Sequence, residues 1–328
     1  MLKPSKELHM NKIAIITAFL GGVKNRYMQY QPERDIREKL ELAAKIPGIE
    51  GVELCYPQDF KNPKELQKLL NDTGLKVSAI NVRSRRDGKW LRGSFTSEDP
   101  KERAEVREEF QLACEEARRL SVNRITTCPL NDGHDYPFEL DYRDAYAYAT
   151  ETFHQICADS PDIRVCIEYK WNDPRTRCLL ASAGETALFC ASVGVPNLGV
   201  TLDFGHSILA GERPAQAVAL LHRAGRLFYL HLNDNDRNWD WDMLPGAFNL
   251  IEMVEFFYYL KELGYTDDWY AYDIMSKEVD TYKTFEAAVR ITRKVEELTE
   301  KIDPQRMNQL LKRRDPVASL RVLYDTVF

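Results

Sequence analysis

Leu198-Gly199-Val200-Thr201-Leu202-Asp203-Phe204-Gly205-His206 is the stretch that decides the fold. Its first five residues form an apolar run broken only by a threonine, the run ends on a carboxylate, and an imidazole follows three residues later. Short runs of this kind mark strands buried on both faces, and such strands belong to parallel sheets. Working outward, Arg164–Glu168, Leu227–His231 and Trp269–Asp273 have the same form, and Lys12–Ile16, Gly51–Cys55, Val77–Asn81 and Arg124–Cys128 supply four more strands in the first half. The stretches between them carry apolar residues at helical spacing: Ile36, Leu40, Ala43 and Ala44; Phe110, Ala113, Cys114, Ala117 and Leu120; Ile251, Val254, Phe257, Leu260 and Leu263. Eight strand and helix alternations predict an α/β chain folded as a (β/α)8 TIM barrel. A doubly wound open sheet is the alternative, but no GxGxxG or GxxxxGK[ST] follows any of the runs, so the usual nucleotide cradle of that fold is missing.

The 328 residues suit one barrel with additions, and a 44% hydrophobic content fills a sizeable core. We expect a disordered leader over 1–10, a catalytic barrel over 11–302 with its closing helix from Thr281 to about Ile302, and a helical tail over 303–328. The tail carries Leu310, Leu311, Val317, Leu320 and Leu323, more apolar positions than a solvated helix needs. It is expected to pack on the barrel or a neighbouring subunit of a homo-oligomer, a dimer or tetramer. A net charge of −6 argues against nucleic acid as a partner, no apolar run approaches the length of a membrane span, and the start lacks a secretory signal. The expected location is the cytoplasm. Seven scattered cysteines (Cys55, Cys114, Cys128, Cys157, Cys166, Cys178, Cys190) without a CxxC pair read as reduced, buried thiols.

The C-terminal ends of barrel strands face the active site, so polar residues that terminate apolar strands carry the function. Glu168, Asp203, His231 and Asp273 end four consecutive strands. One such acid alone can simply cap the next helix. Three carboxylates and an imidazole converging on a rim repel one another unless a cation lies between them, so the pattern calls for a divalent metal. An oxygen-rich set with one nitrogen suits Mn²⁺, Mg²⁺, Co²⁺ or Zn²⁺. His206, Asp240 and Asp242 crowd the same segments; the last two are alternate residues, which in an extended loop point to one side and with Asp203 and His206 form a candidate second site. Asp234 and Asp236 read as parts of a solvated acidic loop. Lys170, two residues beyond Glu168, is placed to hydrogen-bond a substrate oxygen. Trp90, Trp171, Trp239 and Trp241 are candidate aromatic faces near the rim.

The run Glu168-x-Lys170-x-Asn172-x-Pro174-Arg175, the step Asp203-x-x-His206, the run His231-x-Asn233-Asp234-Asn235 leading to Asp240-x-Asp242, and Asp273 together resemble the xylose-isomerase-like barrel superfamily. Within it, Gly93-Ser94-Phe95-Thr96-Ser97-Glu98-Asp99-Pro100 and Asp132–Pro137 are similar to segments of sugar isomerases related to L-rhamnose isomerase and xylose isomerase. The resemblance covers the whole barrel. It implies a structural metal on Glu168, Asp203, His231 and Asp273 and a catalytic metal on Asp203, His206, Asp240 and Asp242. It further implies that Lys170 polarises the sugar carbonyl, with Mn²⁺ the first choice of ion. The implied reaction is an aldose–ketose isomerisation by a metal-assisted 1,2-hydride shift. Candidate catalytic residues are thus Lys170, His206, Glu168, Asp240 and Asp242, and candidate substrate contacts Trp90, Trp171, Asn172 and Arg237.

Two departures bear on the substrate. The histidine that xylose isomerases carry after strand three is replaced by Asn81-Val82-Arg83-Ser84-Arg85-Arg86, whose guanidinium groups suit an acidic substituent, and a family Pro-Gly-Gln reads Pro137-Phe138-Glu139. A second function on the same barrel is a sugar 3-epimerase, or an enzyme on 3-oxo sugars, with one metal and two carboxylates as acid and base. That branch resembles this chain in Glu168, Asp203, His231 and Arg237, but usually has glutamate where Asp273 stands. Endonuclease IV-like phosphodiester cleavage fits poorly with six histidines, of which His9, His154 and His222 lie off the rim, and with the acidic charge.

Overall fold

A computed structural model describes residues 11–24, 27–86, 88–265 and 269–327. The expected leader over 1–10 lies outside the described residues. Eight parallel strands close into a barrel: β1 Lys12–Ile16, β2 Gly51–Tyr56, β3 Lys76–Val82, β4 Arg124–Thr127, β5 Arg164–Glu168, β6 Leu198–Asp203, β7 Leu227–Leu232 and β8 Trp269–Tyr272, with β8 hydrogen-bonded back to β1. Every strand run read from the sequence is a barrel strand. The burial patterns explain why: β2, β4, β6 and β8 are buried at every position, as strands covered on both faces must be.

The helices α1 Ile36–Lys45, α2 Pro63–Thr73, α3 Pro100–Arg119, α4 Tyr142–Asp159, α5 Ala183–Val193, α6 Phe204–Leu209, α7 Pro214–Arg223, α8 Leu250–Glu262 and α9 Thr281–Glu300 cover the barrel. Their starts follow from capping side chains. Asp35 and Glu38 form a reciprocal box at α1, and Asn62, Asp99, Asp141, Ser182 and Asp280 each accept from a first-turn amide. The expected stripes face inward except at Ala44, which is exposed, because Leu42 takes the neighbouring inward position on α1.

Apolar side chains form two layers. One lies between strands and helices; the other fills the barrel with small residues, Ala14, Ala79, Cys166 and Ala271, packed around Tyr229. The C-terminal stretch is helical in two pieces. Arg314 takes a left-handed backbone (φ 52) just before Pro316, which cannot continue a helix, so α10 Pro304–Arg313 and α11 Pro316–Val327 are separate. Met307 and Val322 bury themselves in the core, whereas Leu311, Val317, Leu320 and Tyr324 are exposed. Among the described residues no helix is long and apolar enough to cross a membrane.

Candidate metal centre at the barrel mouth

Strand register builds the centre. Asp203 of β6 is paired directly with His231 of β7, Glu168 is the last residue of β5, and Asp273 follows β8 with its amide bonded to the Leu232 carbonyl. One ligand atom from each of Glu168, Asp203, His231 and Asp273 lies within 4.8 Å of the others. Their charges are poorly balanced. Burial opposes the ionisation of Glu168, but His231 and His206 more than offset it and hold it at about 2. Asp273, raised by burial and by Glu168 and Asp203, reaches about 8, and Asp203, raised by burial against the opposing charge of His206, reaches about 6. Buried carboxylates that repel one another around an imidazole fit a divalent cation, and an O₃N donor set fits Mn²⁺ or Mg²⁺ chemistry.

The ring of His231 is held from behind. Its Nδ1 is 3.1 Å from Glu168 Oε1 on the centre side, while Nε2 is 3.0 Å from Glu53 Oε2. Glu53, wholly buried in the middle of β2, is steadied by Asn81 Nδ2, which donates to its Oε1 at 2.7 Å. A carboxylate on the far nitrogen of a ligating histidine fixes its tautomer and raises its basicity. Sequence reading passed over Glu53, although a lone acid inside an apolar strand is a signal, since a buried charge requires a partner.

A second histidine has the same support. His206 Nε2 is 3.2 Å from Asp240 Oδ2, and that oxygen is 2.6 Å from the Lys170 ammonium. Lys170 also lies 3.4 Å from Asp173 Oδ2. Burial opposes the charge on Lys170, yet Asp240 and Asp173 hold it well above the ordinary range. Asp240 in turn, despite burial, is pushed far below the carboxylate range by Lys170 and His206. His206, against the cost of burial, is raised to about 10 by Asp203 and Asp240. Breaking such a buried pair from one side costs on the order of 3–5 kcal/mol.

Local geometry on this side depends on the loop after β7. Asp234, expected in solvent, is fully buried, because it accepts from the amides of Asn235, Phe248 and Asn249 and from Asn249 Nδ2 and thereby pins the loop. Gly205 admits the loop closely: a Cβ there would meet Asn233 Oδ1 at 2.3 Å, the atom that accepts from the Gly205 amide. Asp203 is both rim ligand and helix cap, since its Oδ1 accepts from the His206 amide at 2.7 Å.

The structure therefore brings Glu168, Asp203, His231 and Asp273 together as one set. It does not close Asp203, His206, Asp240 and Asp242 into a second. Asp240 gives Oδ2 to Lys170 and His206 while its Oδ1 has no hydrogen-bond partner among the described residues, and the set that forms around His206 is Cys128, Glu168 and His206. Asp242 is buried beside it, its carboxyl raised well above the ordinary range by burial, Asp240 and Asp273. Arg237 is drawn away from the sugar contact expected of it, because its exposed guanidinium pairs with Glu252 of α8 at 2.5 Å. Trp90 is buried as wall, with Arg86 and Lys89 over its ring, and offers no open face. Trp171, Trp239 and Trp241 are partly exposed in the loops after β5 and β7, Trp171 with Arg177 over its ring at 3.7 Å and Trp241 with Lys277 over its ring at 5.0 Å, and Asn172 is half-buried beside Trp171. Of the three arginines after β3, Arg86 is bound by Glu109 through both nitrogens, and Arg83 donates to Cys55 Sγ at 3.4 Å, its charge facing Asp273 and Glu53.

Comparisons with known proteins bear on the family and the fold. The family model described as "Xylose isomerase-like TIM barrel" matches residues 40–296. The chain is 26% identical over 204 residues to the xylose isomerase of Thermus thermophilus, which is 58% of this chain and 53% of that enzyme, so the chain spans about half the length of the curated relatives it matches. Among solved structures, an L-ribulose 3-epimerase covers 92% of this chain and 98% of its own with a TM-score of 0.67 at 19% identity. The IOLI protein with a bound zinc atom covers 87% and 96% with a TM-score of 0.62 at 17% identity. At these identities the structural likenesses show the fold.

Proposed function

The chain belongs to the xylose isomerase-like TIM barrel family, and from that premise we propose that it is a sugar isomerase interconverting an aldose and a ketose. The observation that carries this reading is the buried Lys170, held charged by Asp240 at 2.6 Å beside the four-residue set. Glu168, Asp203, His231 and Asp273 would hold a divalent ion, Mn²⁺ before Mg²⁺, Co²⁺ or Zn²⁺, which supplies Lewis-acid polarisation and orients hydroxyl groups when bound. The bound zinc of the similar IOLI barrel supports a metal at this mouth.

In the proposed reaction the hydrogen on C2 of the open-chain sugar passes to C1 as a hydride, while the O2 proton is carried to O1, so that atoms and electrons balance. Lys170 donates a hydrogen bond from Nζ to the oxygen at the reacting end, where negative charge develops. Asp240 keeps that ammonium charged and aimed. Asp242, buried on the same loop as Asp240, would be the group that exchanges the hydroxyl proton. Trp171 and Asn172, in the loop after β5, would contact the rest of the sugar. The exposed apolar side chains of α10 and α11 support a homo-oligomer.

A 3-epimerase is the second reading, favoured by one observation. The four-residue set brings two carboxylates from different strand ends, Glu168 and Asp273, onto one centre, the pair a proton-transfer epimerase would use as base and acid. NMR in D₂O separates the two, with a panel of free aldoses and ketoses offered to protein stripped by chelation and then restored with Mn²⁺. Interconversion of an aldose and a ketose with little deuterium uptake is the expected result. Deuterium at C3 with inversion overturns it in favour of epimerisation.

A further inference from the structure

We propose that Cys128, His206 and Glu168 form a second metal site, of mixed sulfur, nitrogen and oxygen donors, that shares Glu168 with the four-residue set. The three ligand atoms lie within 4.8 Å of one another. Cys128 follows directly on β4 and is a free thiol. His206 is 3% exposed, and its Nδ1, 3.3 Å from Glu168 Oε1 and 3.9 Å from Asp203 Oδ1, makes no hydrogen bond among the described residues. A buried ring nitrogen in that condition is costly unless something occupies the space before it.

The support behind the ring gives the reason for its aim. Asp240 Oδ2, clamped by Lys170, takes Nε2, so Nδ1 is the nitrogen left to coordinate. His231 is presented to the first set in the same way, with Glu53 behind Nε2 and Nδ1 forward. Glu168 Oε1 stands between the two rings, 3.1 Å from His231 Nδ1 and 3.3 Å from His206 Nδ1, a position from which one carboxylate can serve both sites. On binding, the Cys128 thiol proton and the Nδ1 proton of the charged His206 ring both leave to solvent, after which Nδ1 offers its lone pair and Nε2 donates to Asp240. The donor softness differs between the sites: thiolate and imidazole suit Zn²⁺ or Co²⁺, whereas the O₃N set accepts Mg²⁺ or Mn²⁺ as well.

The test reads metal and no sugar. Full-length protein, stripped by chelation and kept reduced, is titrated with Co²⁺ by calorimetry and absorption. Two equivalents are expected, the softer site adding a near-ultraviolet sulfur-to-cobalt charge-transfer band, whereas Mg²⁺ fills one. Cys128→Ser should bind one equivalent and lose the band, and His206→Gln should do the same, which guards against a misfolded single variant. One equivalent of Co²⁺ without the band, or Cys128→Ser with the band unchanged, overturns the sulfur site and leaves the four-residue set and the isomerase reading untouched. No binding of Co²⁺ at all overturns both sites together.

Discussion

His231 and His206 each have a carboxylate behind the ring, but the two carboxylates come from different kinds of structure. Glu53 sits within β2 and its own support, Asn81, within β3, so the His231 arm is fixed by barrel register. Asp240 sits on the loop after β7, and its support, Lys170, lies just past β5, so the His206 arm depends on the burial of Asp234 and on the close approach at Gly205. The strand-borne arm is set as soon as the sheet closes. The loop-borne arm requires long-range polar contacts as well, and its geometry has more ways to change. Damage to the first should therefore appear as lost metal affinity in general, and damage to the second as lost chemistry with the first ion still bound.

The largest effect is expected where the arms meet. Asp203 caps the turn that carries His206 and opposes His231 in the sheet. Asp203→Asn should weaken Mn²⁺ binding by more than the roughly 100-fold ceiling of an outer-shell change and abolish turnover. Calorimetry that found Mn²⁺ affinity within about tenfold of the parent would mean that Asp203 does not hold the ion. Next comes Glu53→Gln, which keeps the shape but removes the charge behind His231 and should cost roughly 10–100-fold in Mn²⁺ affinity. Asp240→Asn should leave that affinity nearly unchanged while turnover falls. The reverse order of the two variants would break the comparison.

The pH dependence of the metal-free protein is a gentler test. Asp203, raised to about 6, and Asp273, raised to about 8, hold protons more tightly folded than unfolded, so the native state carries extra protons between the ordinary carboxylate range and about pH 8. Stability must then fall as pH rises through that window, and His206, raised to about 10, extends the fall upward with the same sign. Glu168, held at about 2, acts in the opposite sense, but only in acid below its ordinary value. The Tm of stripped protein should decline from about pH 5 to about pH 9, and saturating Mn²⁺ should flatten or reverse the slope, because ligands shed protons to bind. A Tm that climbs over this range without metal contradicts the charge balance at the centre.

The same division explains what was legible in the sequence. The strands were legible because double burial leaves an apolar run, and Glu168, Asp203, His231 and Asp273 because they terminate such runs. Glu53 was visible as an oddity within Gly51–Cys55 but had no partner until register brought His231 opposite. Cys128 was hidden among seven thiols, and nothing local distinguishes it from the buried ones. The loop residues were the hardest. Asp234 and Asp240 stand in one acidic run, yet one is buried as an anchor and the other is paired with a lysine from another strand end, and Arg237 is turned to Glu252 by a helix that begins well beyond it. Composition describes such a loop as solvated because the partners that bury it lie far off in sequence.

Asp173 gives the smallest effect and the most specific one. It is the second acid on Lys170, at 3.4 Å against 2.6 Å for Asp240, and its side chain is 37% exposed where that of Asp240 is 5% exposed. A solvated ion pair contributes about 0.2–1 kcal/mol, so Asp173→Asn should change kcat/KM by at most about fivefold. Its backbone is left-handed (φ 68), a conformation asparagine tolerates as well as aspartate, so the substitution removes charge without disturbing the turn. Asp240→Asn removes the inner acid and should lower kcat far more, with KM less affected, because the ammonium then loses the partner that aims it. If the two variants fell by equal factors, Lys170 would be held by net charge around it, and the loop-borne arm would no longer need the hydrogen-bonded line from Lys170 through Asp240 to His206.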